Sequence, residues 1–300
     1  MPVKRDKDGR RYVEAEVEVP GSPEEVWRAI ATGKGISSWF VPTTVEEREG
    51  GTAVSSYGPG MDVPVKITKW NPPRSYVAEA EQEGMGNVAT EWVVEARGGG
   101  RCVVRVVHRW FASTDDWDGQ FEGAAYGWAA SFFRMLRLYL EHFAGQECSA
   151  FQLVAMSEAP GPQTWRTIKS ALRIDRNGRV TSAAGAPDLA GTAQSLEVSD
   201  PELLAARKTV PIIVAAMEGM EGENPELLVR LERPAPGYAH LFIVPMGGGG
   251  EGPTMVAARF YLFGGPHAAG ISPEYESAWQ AWIAKAFPEP QDPSGEGAPA

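Results

Sequence analysis

The sequence predicts an α+β fold written twice in tandem, each copy a curved antiparallel sheet around a long C-terminal helix. Three observations predict it. Residues 118 to 145 carry Phe121, Ala125, Trp128, Phe132, Met135, Leu136, Tyr139 and Phe143 at steps of three and four, a single wide apolar stripe along a helix of about 25 residues and roughly 37 Å. The residues before it break into short alternating runs separated by glycine and proline, the pattern of an antiparallel meander. The same order of strand, helix, strands and long helix then recurs. A stripe that wide has to be buried, and the concave face of the sheet is its natural partner.

The elements follow in order. Arg11 to Val19 alternates Tyr12, Glu14, Glu16 and Glu18 with Val13, Ala15, Val17 and Val19, which predicts a first or edge strand with one wet face. Ser22, Pro23, Glu24 and Glu25 form a capping box with proline at the first helical position, so a short helix starts there and turns Val26, Trp27 and Ile30 inward. Gly33 and Gly35 are expected to stop it, with one more turn over Ile36 to Phe40, where Trp39 and Phe40 need a place to bury. Strands are predicted near 44–48, 52–57, 62–70, 74–83, 87–97 and 101–111. Asp118 is placed to cap the long helix and Gly145 to end it.

In the second half, Trp27-Arg28-Ala29-Ile30 returns as Trp165-Arg166-Thr167-Ile168 at a spacing of 138 residues, after a strand over Ala150 to Met156. Strands over Glu226 to Glu232, Tyr238 to Met246 and Thr254 to Phe263 precede a last helix, Ser272 to Phe287. That helix is expected to be capped by Ser272 and Pro273 and striped by Tyr275, Ala278, Trp279, Trp282, Ile283 and Ala286. Residues 173 to 209 are rich in Gly, Ala, Ser and Asp, so the second copy reads as diverged. The expected domains are 1–147 and 148–288, with 289–300 a disordered tail too rich in Pro, Gly and acid to pack.

Composition narrows the function. Net charge is -11 over 300 residues, which argues against a nucleic-acid or anionic membrane partner. No apolar signal core or membrane-length run occurs, and Cys102 and Cys148 sit among apolar neighbours, so the expected location is the cytoplasm. G-x-S-x-G, H-E-x-x-H, C-x-x-C and P-loop patterns are all missing, and the Gly247 to Gly250 run leads into a strand rather than a phosphate-binding helix. His108, His142, His240 and His267 never fall at ligand spacing. Asp115, Asp116 and Asp118 lack the glutamate of a calcium loop and read as a helix-capping loop. Glu79, Glu81 and Glu83 share a strand face as Glu14, Glu16 and Glu18 do, which is the pattern of a wet face. No catalytic residue, metal or cofactor is assigned.

Residues 11 to 145 resemble the activator of Hsp90 ATPase homologue-like domains, a branch of the START-like, helix-grip (SRPBCC) superfamily. The matching pieces are Ser22-Pro23-Glu24-Glu25-Val26-Trp27, Ser38-Trp39-Phe40, Trp70-Asn71-Pro72-Pro73, Thr90-Glu91-Trp92 with the Gly98 to Gly100 hairpin, Gly127-Trp128, and Leu136 to His142. The resemblance implies a helix-grip domain with a deep cavity between the long helix and the sheet; the second half shares the order of elements but lacks most of these motifs, and the fold is extended to it on that order. Its members include small-ligand carriers, polyketide aromatases and cyclases, and a eukaryotic branch that stimulates a chaperone.

Tyr57, Trp70, Trp92, His108, Trp110, Phe121, Tyr126, Trp128 and Phe132 fall on the elements that would line such a cavity, as core or as wall. Arg105 and His108, three apart on one strand, point to opposite faces, and phase with Val106 and Trp110 turns His108 inward. Arg259 and Tyr261 occupy the comparable strand of the second half. The reading is a binder of a small hydrophobic or aromatic molecule in the first domain. The alternatives are an aromatase or cyclase steered by groups such as His108 and Tyr126, or an interaction or co-chaperone-like protein that docks or dimerises through the second domain.

Overall fold

The computed structural model describes residues 4–5, 11–58, 60–82, 86–110, 132–193, 226–245 and 252–288. The chain divides into two compact units, Met1–Ala150 and Phe151–Ala300. The first contains β1 (Lys4–Arg5), β2 (Arg11–Pro20), α1 (Pro23–Ala31), α2 (Gly33–Ser37), β3 (Thr43–Val45), β4 (Thr52–Ser56), β5 (Asp62–Asn71), β6 (Ser75–Gln82), β7 (Gly86–Arg97), β8 (Arg101–Trp110) and α3 (Phe133–His142). Its eight strands form one antiparallel sheet in the order β1-β2-β8-β7-β6-β5-β4-β3. The first long strand therefore lies beside the last. β2 is the first long strand, and β1 pairs with it only at Arg11 and Tyr12.

Register explains which side of this sheet is dry. Val13, Ala15, Val17 and Val19 stand opposite His108, Val106, Val104 and Cys102, and those in turn oppose Thr90, Trp92, Val94 and Ala96. Directly opposed residues share a face, so one side is almost wholly apolar. The other side carries charges in pairs: Arg105 with Glu95 at 2.9 Å, Arg109 with Glu91 at 2.7 Å, and Arg101 with Glu18 at 2.6 Å. These pairs are partly exposed and worth little individually, but they keep that face wet.

α1 starts as its capping box dictates. Ser22 Oγ accepts from the Glu25 amide, and the Glu25 carboxylate accepts from the Ser22 amide. Val26, Trp27 and Ile30 are buried as their spacing requires. Gly33 and Gly35 behave differently from expectation. Thr32 ends α1 and caps α2, so Gly33 opens a second helix and Gly35 lies inside it. A Cβ on Gly35 would sit 1.9 Å from the Arg28 carbonyl oxygen, so glycine is there for close helix contact rather than as a stop.

α3 buries Phe133, Met135, Leu136, Tyr139 and Leu140 and packs against β2 and α1. It closes at Phe143, whose amide donates to the Tyr139 carbonyl, and Gly145 turns the chain away at a φ of 74°. The earlier part of the predicted long helix, from Asp118, lies outside the described residues. So do the Asp115 to Asp118 loop, Glu83, the Gly247 to Gly250 run and the tail.

The second sheet is opened by β9 (Cys148–Ser157), followed by α4 (Gly161–Ser170), β10 (Leu172–Ile174), β11 (Arg179–Ser182), β12 (Ala190–Ala193), β13 (Glu226–Arg233), β14 (Gly237–Pro245), β15 (Thr254–Phe263) and α5 (Pro266–Ala286). Its order is β10-β11-β12-β13-β14-β15-β9, again with the first strand beside the last. The chain is thus an α+β protein with one strand path used twice. Trp27 and Trp165 are both buried on the helix that follows the first long strand.

α5 departs from expectation at its start. It begins at Pro266 behind Gly265, so Ser272 is not its cap and Pro273 lies within it. Proline there removes only the bond to the carbonyl of Ala269, an exposed residue that water can satisfy. Tyr275, Trp279 and Ile283 are buried, whereas Ala278 is exposed and Trp282 and Ala286 are half-buried, so the stripe is narrower than the sequence suggests. Phe260 gathers the rings of this core, 4.8 Å from Phe151, 5.3 Å from Tyr275 and 5.0 Å from Trp279.

Gly35→Ala is expected to destabilise the first unit by about 2 kcal/mol or more, because the obstructing atom is backbone and cannot rotate away. Denaturant unfolding of the variant against wild type measures it, and an unchanged midpoint would contradict the packing described.

Candidate functional site

The aromatic side of the first unit grows from the end of α1. The last carbonyls of a helix have no partner within it and must be met from outside. Here three consecutive ones are met by side chains: Arg28 by Thr32 Oγ1 at 2.7 Å, Ala29 by Trp39 Nε1 at 2.9 Å, and Ile30 by the Tyr76 hydroxyl at 2.8 Å. Burial raises the Tyr76 hydroxyl well above its ordinary value, so it stays protonated and able to donate. These bonds fix two rings, and the other rings assemble on them.

Trp27 meets Trp70 edge-on at 5.0 Å and Tyr76 at 5.8 Å. Tyr76 stacks on Trp92 at 6.1 Å and an angle of 11°, and Trp92 meets Trp39 and Phe133. Phe40 then carries the chain of rings outward, 5.9 Å from Tyr57 and 4.6 Å from Phe132. Tyr57 and Phe132 are half-buried, whereas Trp39 and Trp92 are buried.

The residues singled out from sequence therefore separate. Trp70 and Trp92 belong to the ring ladder under α1. Tyr57 and Phe132 come together through Phe40 at the start of α3. His108 stands with Thr90, and the two ladders are linked through Trp39. Trp110 opposes Arg11 and Val88 by backbone register, and its side chain lies outside the described residues, as do Phe121, Tyr126 and Trp128. Trp27, Phe40, Tyr76 and Thr90 were not anticipated as members; the adjacent apolar pair Trp39-Phe40, which needed a place to bury, was the one signal in the sequence that pointed to them.

His108 occupies the helix side of β8, flanked by Val13 and Thr90, while Arg105 turns to the outer side and pairs with Glu95. The residue as a whole is of intermediate exposure, but its Nε2 is closed off from solvent and its Nδ1 lies 2.9 Å from Thr90 Oγ1. Loss of hydration pushes its pKa down to about 4, so the imidazole is neutral at physiological pH. A neutral ring is an orienting donor or a weak base, according to which nitrogen carries the proton.

The second unit does not repeat this arrangement. Arg259 and Tyr261 are buried, but they face away from α5, because Ala258, Phe260 and Leu262 take the helix side. Arg259 lies over the Phe242 ring and donates from Nε to Gln152, and His240 Nε2 is 2.8 Å from Glu226. Among the described residues no three His, Cys, Asp or Glu side chains gather as a metal site requires. Glu79 is held by Thr68 and Asn87 on the outer side, as a wet-face acid is.

Residues 10–141 match the family model described as polyketide cyclase / dehydrase and lipid transport. The matched stretch lies within the first unit. This chain is also similar to solved structures. The di-domain ARO/CYC BexL from the BE-7585A biosynthetic pathway is 14% identical, over 94% of this chain and 100% of that one, with a TM-score of 0.41. DynU16, from the dynemicin biosynthetic locus, is 14% identical over 92% and 97%, with a TM-score of 0.38. Aha1 from Colwellia psychrerythraea is 21% identical over 45% and 98%, also at 0.38. No curated protein matches the chain.

The buried imidazole of the first unit sets a pH dependence. Its folded pKa of about 4 lies below the model-peptide value of 6.5, so between those limits the unfolded chain binds the proton more readily and stability falls as pH falls. Between pH 7 and pH 5 wild type is expected to lose about 2 kcal/mol more than His108→Gln. Urea unfolding at the two pH values tests this, and parallel losses in the two proteins would contradict it.

Proposed function

We propose that the first unit binds a small hydrophobic or aromatic molecule between α3 and the helix side of its sheet. The observation that carries this reading is one neutral, enclosed imidazole on the same otherwise apolar sheet face as Trp92, whose chain of ring contacts ends in the half-buried Tyr57 and Phe132. An apolar wall with one or two fixed polar groups is how small-molecule sites are built. The matched family's description, cyclase, dehydrase and lipid transport, supports the same class of ligand. No helix among the described residues is long and apolar enough to cross a membrane, and we take the protein to act in the cytoplasm.

The test is a fluorescence titration of the full chain with 1-anilinonaphthalene-8-sulfonate, followed by energy transfer from tryptophan. Saturable one-to-one binding is expected, weakened about ten-fold by Phe132→Ala, since one large ring contact is worth 1 to 2 kcal/mol. Absence of saturable binding would overturn the reading.

His108 favours a second reading, in which the bound molecule also reacts. A neutral imidazole bonded to Thr90 is suited to moving a proton at carbon next to a carbonyl, the step that cyclisation and dehydration of a polyketone share. A short poly-β-ketone thioester is the probe. Turnover is expected to fall about 100-fold in His108→Gln with binding retained, and equal turnover would remove His108 from any chemistry.

A further inference from the structure

The helix side of the first sheet is not closed to the same degree along its length. Register carries one row across it, in which Val13, His108, Thr90, Ala78 and Ile67 each oppose the next. Opposed residues share a face, and alternate residues of one strand return to it. Val65 and Val63 therefore follow Ile67 on the helix side, with Ala53 and Ser55 opposite them on β4. Tyr57 comes next along the chain and meets Phe40, so the hairpin between β4 and β5 lies at the outer end of the ring chain.

Two things change along this path. Nearer α1 the same face carries Trp70, Tyr76 and Trp92, whereas the row through His108 carries the small Thr90 and Ala78, and the hairpin carries Ala53 and Ser55. Exposure also rises. On β5, Ile67 is wholly buried, Val65 is half-buried and Val63 is 39% exposed, and Met61, whose carbonyl accepts from the Tyr57 amide, is 40% exposed. These are two of the three large apolar side chains so exposed among the described residues. A valine on the core side of a sheet that still meets water marks a place where that side is open.

We infer that Val63 and Met61 form the lip of the binding site, and that the molecule it takes is elongated, with its apolar end over them and a carbonyl or hydroxyl held at Thr90 and His108. The inference rests on the binding reading proposed above. Length follows from the sheet itself. Three strand spacings from His108 to Ile67 and four residues from Ile67 to Val63 set the two ends on the order of 20 Å apart. A compact bicyclic molecule reaches one end of that path, and an extended chain reaches both. Orientation follows from hydration. Thr90 and His108 meet at 2.9 Å, and each can give or take a hydrogen bond, so a polar end is satisfied there, while an apolar end at the lip takes Val63 and Met61 out of water. Ser55, between the two, is already bonded to Thr43 at 3.1 Å, so an apolar chain can pass it.

The test uses two methyl ketones, methyl hexyl ketone and methyl tetradecyl ketone, the longer carried on cyclodextrin, each competing with the anilinonaphthalene probe on the full chain. The longer is expected to displace it at the lower concentration. Val63→Asp is expected to weaken the long ketone about ten-fold and leave the short one unchanged, with circular dichroism as in wild type. Should that variant fail to fold, Met61→Asp, just outside the strand, is expected to discriminate in the same way. Thr90→Val is expected to weaken both ketones alike, about five-fold, since both carry the carbonyl. A chain without saturable probe binding would sink the binding reading and this inference together. With the probe bound, a long ketone that displaces it no better than the short, or lip variants that affect both lengths equally or neither, would overturn the inference alone. Unchanged affinities in Thr90→Val would overturn the orientation.

Discussion

The carbonyls at the end of α1 impose the constraint from which the aromatic side of the first unit follows. A helix that ends against a sheet, away from water, must find donors for its last oxygens, and the loss of even one such bond costs on the order of 1 to 3 kcal/mol. Trp39 and Tyr76 supply two of them. Both are amphipathic rings, so each bond also sets the plane of a large apolar surface. Trp27, Trp70 and Trp92 pack on those planes, and Phe40, next to Trp39 in the chain, is carried out toward Tyr57 and Phe132. Backbone chemistry at one helix end thus decides where the apolar wall stands.

The two sheets share a strand path but treat their second faces differently. In the first unit that face carries Arg105, Arg109, Glu91 and Glu95 as paired charges. In the second, β15 is buried on both sides, and Arg259 and His240 are held there by Gln152 and Glu226. Buried polar groups of this sort are tolerated only when bonded, and each here has a partner. What diverged between the copies is therefore more than the loops.

Much of this was legible in the sequence, for identifiable reasons. The capping box at Ser22 and the alternation in β2 are local patterns, and each appears where its residues place it. The inward phase of His108 was readable because a strand has a period of two. Gly35 was misread because its role depends on the Arg28 carbonyl of the preceding helix, a contact with no local signature. Pro273 was misread as a start because proline is common there, whereas the exposed side of a helix also admits it. Tyr76 and Thr90 were missed since their partners, Ile30 and His108, are fixed by register and by distance in sequence. Which side Arg259 and Tyr261 take was not legible, because a shift of one residue along β15 reverses every side chain, and it is Ala258, Phe260 and Leu262 that join the core.

That β2 lies between β1 and β8 bears on how the chain is made. The residues opposing Val13 to Val19 are Cys102 to His108, so most of the long strand's hydrogen bonds await a segment synthesised much later. At the pace of a ribosome that interval is roughly 5 to 20 seconds, during which the apolar row of β2 has no sheet to join. The alternating glutamates of that strand then serve a second purpose, as they keep a nascent, unpaired hydrophobic segment soluble until its distant neighbour emerges from the exit tunnel.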